Sequence, residues 1–325
     1  MKKLLLVSAI SAAFLAGCGS SDDKEVQTAQ FSLGISDAPV ANVKEVWVAF
    51  DSIILNGGGE NPTFETRSSD DPSAPVMVNL LEYTGSDLFS LVNNEVVVPG
   101  NYSWLRANIV NGDVANLAQT SHLVYNDDTV VPLIVKRKGN DGIGEIQLND
   151  FTLAVGQNDF VLEFDLKKSL VDPQNGEEVV LKPTGVRLEN LAEVENIVGT
   201  VSENLFMNCE TDNAAIAPTE GDFGHAVYLY SVAEGMKDLY VEADGVTVPA
   251  DAPIATANVA YNEQSQSYEF EIGFVATGEY TLGYTCAAHI DDAEVMDEAF
   301  TLYSSQAVTV TAGQDATVTF DVTAE

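Results

Sequence analysis

The chain has 325 residues and a formal net charge of −36, with 14 Lys and Arg against 50 Asp and Glu. Such a field repels nucleic acid, so nucleic-acid binding is excluded as a function. The length suffices for two domains that each bury a core. From Glu195 onward there are 23 acidic residues and one basic residue, Lys237. We interpret the acids as a solvated surface; the alternative is a docking face for a basic partner or a divalent cation.

The first residues have the pattern of an export signal. Two lysines precede an apolar run over residues 4–15, which is too short to span a bilayer of about 30 Å. The run ends in "LAGC", which resembles the lipobox of bacterial lipoproteins. That resemblance implies removal of residues 1–17, acylation of Cys18, and outer-membrane sorting because Gly19 replaces the aspartate of a retention signal. The alternative is an ordinary secreted protein with a chance cysteine at this position.

Alternating apolar and polar residues predict strands in nearly every later segment. "EVWVAF" alternates Val46, Val48 and Phe50, and "DFVLEFDLKK" places Glu163 and Asp165 opposite its phenylalanines. Alternation with one polar face is typical of antiparallel sheets that have one side in water. Turn-forming runs separate the strands, and only "NLLEYTGSDLFSLV" suggests a short helix. We predict an all-β fold, with two antiparallel Greek-key β-sandwich domains in tandem.

A short motif that occurs once in each half of the chain indicates where the two domains divide. Gly-x-Tyr occurs at the entry of a strand once in each half, in "VPGNYSWLRANI" and in "VATGEYTLGYTC". We place the boundary just after "LKPTGVRLENL". The expected organisation is a lipidated tether over residues 18–25, a first sandwich over 26–192 and a second over 195–325.

The remaining cysteines, Cys209 and Cys286, are predicted to form a structural disulfide. Two cysteines in an exported protein most often pair, because the compartment is oxidising. Cys286 continues an alternating run with Leu282 and Tyr284, so its side chain is expected to face a core. A reactive thiol pair would favour closer spacing, such as C-x-x-C.

Two sets of segments, each in chain order, resemble known families. "SDAPVANVKEVWVAFDSIIL", "VNLLEYTG", "VPGNYSWLRANI", "FDLKKSLV" and "LKPTGVRL" together resemble the bacterial DUF4382 domain. The function of that family is unknown, so this resemblance implies a location and a fold type but no reaction. "IVGTVSEN", "HAVYLYS", "YEFEIGFVATGEYTLGYTC" and "AVTVTAGQDATVTFDV" resemble carboxypeptidase regulatory-like (prealbumin-like) domains. This second resemblance implies a non-catalytic accessory module.

The sequence contains no recognisable catalytic motif. His122, His225 and His289 stand alone, and neither H-E-x-x-H nor G-x-S-x-G occurs. No phosphate-binding loop is present, so no nucleotide cofactor is indicated. We predict a non-enzyme, a binding or assembly module for an envelope protein or a glycan, with Trp47 and Trp104 as candidates for a shallow binding face. The alternatives are a carbohydrate-active or other hydrolase, with a carboxylate site in the loops of the first sandwich, and a spacer.

A hard cation is the one cofactor that the sequence suggests. Asp37, Asp51 and Asp165 fall at expected strand edges in the DUF4382-like segments, and calcium takes six to eight oxygen ligands. These three aspartates are therefore a candidate calcium site. The alternatives are a turn-forming role for Asp37 and a surface ion pair of Asp165 with Lys167 or the lysine beside it.

The lipobox interpretation predicts that Cys18→Ser releases the protein from membranes and leaves the precursor uncleaved, because no thiol remains to be acylated. Membrane fractionation and mass spectrometry of the N-terminus measure both effects, and Ser20→Ala serves as the control that should change neither. A wild-type protein found free of membranes, cut at another site, would contradict the interpretation.

Overall fold

The computed structural model describes residues 27–38, 43–59, 61–139, 143–171, 177–219, 221–240, 249–293, 295 and 299–322. Within them the fold is nearly all β, which confirms the predicted class. Cys18, the signal segment and the tether lie outside the described residues. None of the helices in these ranges has the length and hydropathy needed to cross a membrane.

The described strands before the predicted boundary build two sheets. They are β1 (Ala29–Ala38), β2 (Val43–Gly57), β3 (Thr63–Glu65), β4 (Val76–Asn79), β5 (Phe89–Val97), β6 (Gly100–Ile109), β7 (His122–Tyr125), β8 (Val130–Ile134), β9 (Gly144–Leu153), β10 (Gly156–Asp165), β11 (Leu170–Val171), β12 (Val179–Leu181) and β13 (Val186–Asn190). A four-residue helix, α1 (Leu166–Ser169), follows β10, and single 3-10 turns cover Leu80–Glu82, Leu117–Gln119 and Pro183–Gly185.

These strands pack as two layers around one core. One sheet has the order β13-β10-β1-β5, and the other has the order β11-β12-β8-β7-β2-β6-β9, with β3 and β4 also paired to β2. The predicted inward set Val46, Val48 and Phe50 is fully buried, as is Phe164 on β10. The large apolar side chains of both sheets form one cluster, so this half buries a core of its own.

The remaining strands form a second pair of sheets. They are β14 (Val194–Val201), β15 (Ala226–Tyr230), β16 (Ala255–Asn258), β17 (Ala260–Asn262), β18 (Ser267–Ala276), β19 (Gly278–Thr285), β20 (Ser304–Val310) and β21 (Ala316–Phe320), with helix α2 (Glu203–Asp212) after β14 and a 3-10 turn at Ala214–Ile216. The sheet orders are β17-β18-β14-β21 and β16-β15-β19-β20. The predicted disulfide is present: Cys209 on α2 bonds to Cys286, just beyond β19.

Three strand pairs correct the expectation of purely antiparallel sheets. β1 and β10, β8 and β12, and β14 and β21 are parallel. Parallel neighbours require a long crossover connection, and alternation along a strand fixes its faces without fixing the direction of its partner.

The short helix expected in "NLLEYTGSDLFSLV" is only the 3-10 turn at Leu80–Glu82, after which β5 begins. Helix α2 was not predicted; its N-cap Ser202 accepts a hydrogen bond from the Leu205 amide at 3.3 Å.

The disulfide should contribute substantially to stability. It closes a loop of 77 residues, for which the chain-entropy model gives about 4 kcal/mol. Reduction should therefore lower the melting temperature of the wild type and leave that of a Cys209→Ser/Cys286→Ser double variant unchanged. Thermal unfolding followed by circular dichroism measures this, and recovery of two freely alkylated thiols from the folded wild type would refute the bond.

Candidate functional site

The face of β10 that the sequence predicts to lie in water is buried. Glu163 is 2% exposed and Asp165 is 1% exposed. The second half of the chain covers this face, and alternation reveals a polar face without revealing what packs on it. We call the resulting group of buried polar side chains the charged seam: Asp37, Glu163, Asp165, Lys168, Arg187 and Thr256.

Arg187 connects the two halves through the seam. It lies on β13 directly opposite Glu163 on β10, and its Nε donates to Glu163 Oε2 at 2.7 Å. Its terminal nitrogens donate to the carbonyl oxygens of Phe274 at 3.2 Å and Gly273 at 3.4 Å, both on β18. A buried pair of this kind costs about 3–5 kcal/mol to break by removing one partner, because the other charge is left unpaired.

Asp165 holds a second set of contacts across the seam. Thr256 on β16 directs its hydroxyl at both Asp165 oxygens, each at 3.1 Å. The same carboxylate caps α1 by accepting from the Lys168 amide at 3.2 Å. Beside it, Lys167 Nζ donates to the carbonyl oxygen of Ala288 at 2.7 Å. The lysines expected to pair with Asp165 at the surface therefore help to join the halves.

Two glycines allow the backbones of the halves to approach closely. Gly85 has a φ of +63°, and a Cβ added there would lie 2.7 Å from Glu271 Cδ. A Cβ added at Gly273 would lie 2.3 Å from the carbonyl oxygen of Gly85. Side chains at these positions would push the Gly85 turn away from β18, so glycine is required at this contact.

Burial shifts the pKa values of the seam. Desolvation raises the pKa of Glu163 and of Asp165, with Arg187 and Lys168 respectively opposing the rise. The pKa of Asp37 is raised well above its usual value by burial and then by the nearby Asp165 and Glu163 carboxylates. Neither oxygen of Asp37 makes a hydrogen bond of normal geometry. Burial and the two neighbouring carboxylates therefore disfavour the ionised form of Asp37.

The three aspartates of the predicted calcium site do not come together. Asp37 and Asp165 lie at the ends of the neighbouring strands β1 and β10. Asp51 lies on β2 in the other sheet, where its Oδ1 accepts from Arg67 at 2.7 Å. In the part of the chain that the structure describes, no group of three or more His, Cys, Asp or Glu side chains could hold a metal ion. The surface ion pair expected for Asp165 is likewise wrong, because this residue is buried.

Each histidine has a packing or hydrogen-bonding role. His122 stacks on Trp47 and bonds through Nδ1 to the carbonyl of Thr120 at 2.9 Å. His225 lies flat on Phe206, and burial lowers its pKa. His289 Nδ1 accepts from the Gly224 amide at 3.1 Å, and its Nε2 lies 2.9 Å from the carbonyl of Ile216.

Both tryptophans lie on the outer face of the larger first-half sheet. Trp47 alternates with buried core residues of β2, and its Nε1 donates to Glu45 at 2.7 Å. Trp104 on β6 lies beneath the Arg106 guanidinium, 4.4 Å from the ring centroid, and Arg106 also pairs with Glu145 at 3.0 Å. These contacts hold both indoles in place on a half-exposed polar face.

An open groove of about 650 Å³ crosses the outer face of the β17-β18-β14-β21 sheet. The Thr84–Gly85 turn of the first half borders it, so both halves contribute to its lining. Its side chains stand at alternate, outward positions of the strands. They are Val198 and Thr200 on β14, Glu269 and Glu271 on β18, Thr317 and Thr319 on β21, and Asn262 on β17.

Glu269 is held in a defined orientation within this groove. Its Oε1 accepts from Ser265 at 2.5 Å and Ser267 at 2.7 Å, and its Oε2 accepts from Asn262 at 2.8 Å. These three donors lower the pKa of Glu269. Tyr261 is 53% exposed, but it lies directly opposite Tyr268 in the β17–β18 pair, so its ring is edge-on to Tyr268 on the other face of the sheet from Glu269. The groove thus combines a fixed carboxylate, hydroxyls and an amide.

Sequence alternation alone could place Glu269 and Glu271 on an outer face, because "SYEFEIGF" alternates cleanly. It could not reveal the groove, since one wall comes from the Gly85 turn of the other half. Arg187 and Thr256 were missed for the same reason: their positions become significant only when the two halves are docked.

Asp291 provides a pH test of the contacts beside the seam. Burial raises its pKa from 3.8 to about 6, although Lys167 and the Tyr228 hydroxyl at 2.5 Å oppose this. The folded state therefore binds the Asp291 proton more tightly than the unfolded state does. As the pH rises from 3.8, the pKa in the unfolded state, to about 6, the pKa in the folded state, the free energy of unfolding should decrease. Asp291→Asn cannot ionise. The free energy of unfolding of the variant minus that of the wild type should therefore decrease by about 2 kcal/mol as the pH falls from 7 to 4.

Urea unfolding at several pH values measures this difference. The control is Asp222→Asn, at an exposed position of the same half, which should keep a constant offset from the wild type. A constant offset for Asp291→Asn as well would show that Asp291 is not perturbed by burial.

No curated protein matches the chain. Among solved structures, a leucine-rich repeat protein from Bacteroides thetaiotaomicron aligns at 12% identity with a TM-score of 0.18, covering 91% of this chain and only 26% of that protein. From Bacteroides ovatus, a candidate adhesin (10% identity, 92% of this chain, 88% of that one) and a fimbrial protein (8%, 91% and 49%) each give a TM-score of 0.18. Scores this low show no common fold. By sequence, residues 28–183 match the DUF4382 family, a domain of unknown function.

Proposed function

We propose that this protein is a lipid-anchored component of the bacterial cell envelope, held on the outer membrane through Cys18, and that it binds a neutral glycan without transforming it. The export signal and the lipobox-like "LAGC" support the location. The observation that carries the binding role is the orientation of Glu269 by three donors, among hydroxyl side chains, in an open groove.

The chemistry of the groove suits a polyhydroxylated ligand. Sugar hydroxyls need acceptors such as the Glu269 carboxylate and donors such as the hydroxyls of Thr200 and Thr319, which line the groove. The volume of about 650 Å³ lies in the range typical of small-ligand sites. The acidic surroundings repel anionic ligands, so a neutral glycan is favoured over a phosphorylated or sulfated one.

The electrostatics of the carboxyl groups favour binding over hydrolysis. A glycosidase needs a general acid whose pKa is raised, whereas the pKa of Glu269 is lowered by its donors. Glu163 and Asp165, whose pKa values are raised, are at most 2% exposed and covered by the second half. A substrate in the groove would therefore meet a carboxylate suited to accepting hydrogen bonds.

A protein partner is a second candidate, favoured by the outer face that carries the tryptophans. Arg106 over Trp104 combines two residue types that dominate binding energy at protein interfaces. A partner recognised there would bind independently of the groove, so variants at Trp104 and at Glu269 distinguish the two surfaces.

The glycan proposal predicts that Glu269→Gln weakens binding at least tenfold, because a hydrogen bond to a charged group contributes about 1.5–3 kcal/mol. An array of neutral oligosaccharides, including β-glucans, mannans and galactans, identifies the ligand, and calorimetry measures its affinity. The matched control is Glu279→Gln, at an exposed position on β19 outside the groove.

Two outcomes would overturn the proposal. Absence of binding to every neutral glycan on the array would leave the protein-partner or spacer role. Release of shorter sugars from a bound glycan, lost in Glu269→Gln, would make the protein an enzyme.

A further inference from the structure

One end of the first sandwich is apolar and uncharged, unlike the rest of the molecule. Val98 lies in the turn between β5 and β6, and Val155 lies in the turn between β9 and β10. Their exposed fractions are 44% and 56%, and Val96 at the end of β5 is 66% exposed. We call these three residues the valine tip.

The three valines surround the start of β1. Ala29 pairs with Val97 on one side and with Gly156 on the other, so both turns flank the first residues of this strand. The Gly156 amide donates to the carbonyl oxygen of Thr28 at 3.1 Å, which fixes the second turn against the incoming chain.

The segments that meet at this end carry no charge between the acids that border them, Glu95, Asp150 and Asp159. Residues 27–35, 52–59, 96–104 and 151–158 contain no Asp, Glu, Lys or Arg, in a chain of which 20% is charged. In a molecule with a net charge of −36, such a surface can approach lipid without desolvating an ion. Its apolar side chains gain by leaving water.

The position of the tip matches the anchoring point. Nine residue steps separate Cys18 from Gln27, where the described fold begins, and a chain of that length spans at most about 30 Å. An acylated Cys18 therefore keeps the tip close to the bilayer. The second half packs along β10 from Val161, which clusters with Val194 and Phe274, to Asp165, which binds Thr256, and these contacts begin six positions beyond Val155.

We propose that the valine tip rests on the lipid surface and fixes the orientation of the anchored protein. The inference depends on the proposed acylation of Cys18. The lipid chains supply the attachment, and the tip supplies a defined contact that makes the long axis of the first sandwich stand off the membrane.

Site-directed spin labelling tests this contact. In the acylated protein Cys18 is blocked and Cys209 is bonded to Cys286, so an introduced cysteine is the one reactive thiol. Val98→Cys and Val155→Cys place a nitroxide on the tip, and Val114→Cys, at an equally exposed valine in another loop, is the matched control. The lipidated variants are purified from membranes, labelled, and reconstituted into phosphatidylcholine vesicles. Power saturation then compares collisions with oxygen, which concentrates in lipid, and with a water-soluble nickel chelate.

The expected result is a several-fold fall in nickel accessibility, with a rise in oxygen accessibility, for the labels at positions 98 and 155 on reconstitution, and no change at 114. Equal nickel accessibility at all three positions in protein that floats with the vesicles would overturn the tip contact and leave the anchor intact. Protein that does not float and carries a second label on Cys18 would overturn the anchor and the inference together.

Discussion

The ion pair between Glu163 and Arg187 is the constraint on which the arrangement of the molecule depends. It joins neighbouring strands of the first half, and the same guanidinium donates to two carbonyl groups of β18 in the second half. The Glu163 side chain is only 3% exposed, so loss of Arg187 would leave a buried carboxylate without its ion-pair partner. A hydrophobic contact would tolerate small shifts between the halves, whereas a planar guanidinium with fixed acceptors tolerates few. The seam therefore fixes geometry more than it adds stability.

The fixed position of the two halves relative to each other turns an otherwise flat sheet face into a groove. The outward residues of β14, β18 and β21 would form a shallow surface by themselves, and the Gly85 turn of the first half supplies the wall. The turn approaches β18 only because Gly273 has no side chain. Glu271, which packs against Gly85, is thus held by the docking itself, while Glu269 is held by the local donors of its own hairpin. The seam and the groove are consequently two results of one contact between the halves.

The sequence was sufficient for the features that depend on local periodicity. Alternation gave the all-β class and the buried sets of β2 and β10, and the cysteines were paired correctly. Prediction from the sequence failed for the features that depend on packing between distant parts of the chain. Glu163 and Asp165 alternate with core residues as solvent-facing side chains do, so their burial follows only from the docked second half. The parallel pairing of β1 with β10 joins strands more than a hundred residues apart, and no turn between them records its direction. The groove, whose walls come from both halves, lies beyond local prediction for the same reason.

The fold places the charged and uncharged parts of the chain at different ends of the first sandwich. The ends of β1 and β10 differ sharply: one carries the uncharged valine tip and the other carries the acids of the seam. Along about nine residues of strand this places the two ends roughly 30 Å apart, which is several Debye lengths at physiological salt. The seam acids are therefore screened from a membrane at the tip. In the proposed orientation the first sandwich is the spacer between the lipid and the groove, and this arrangement reconciles a short tether with a strongly acidic second half.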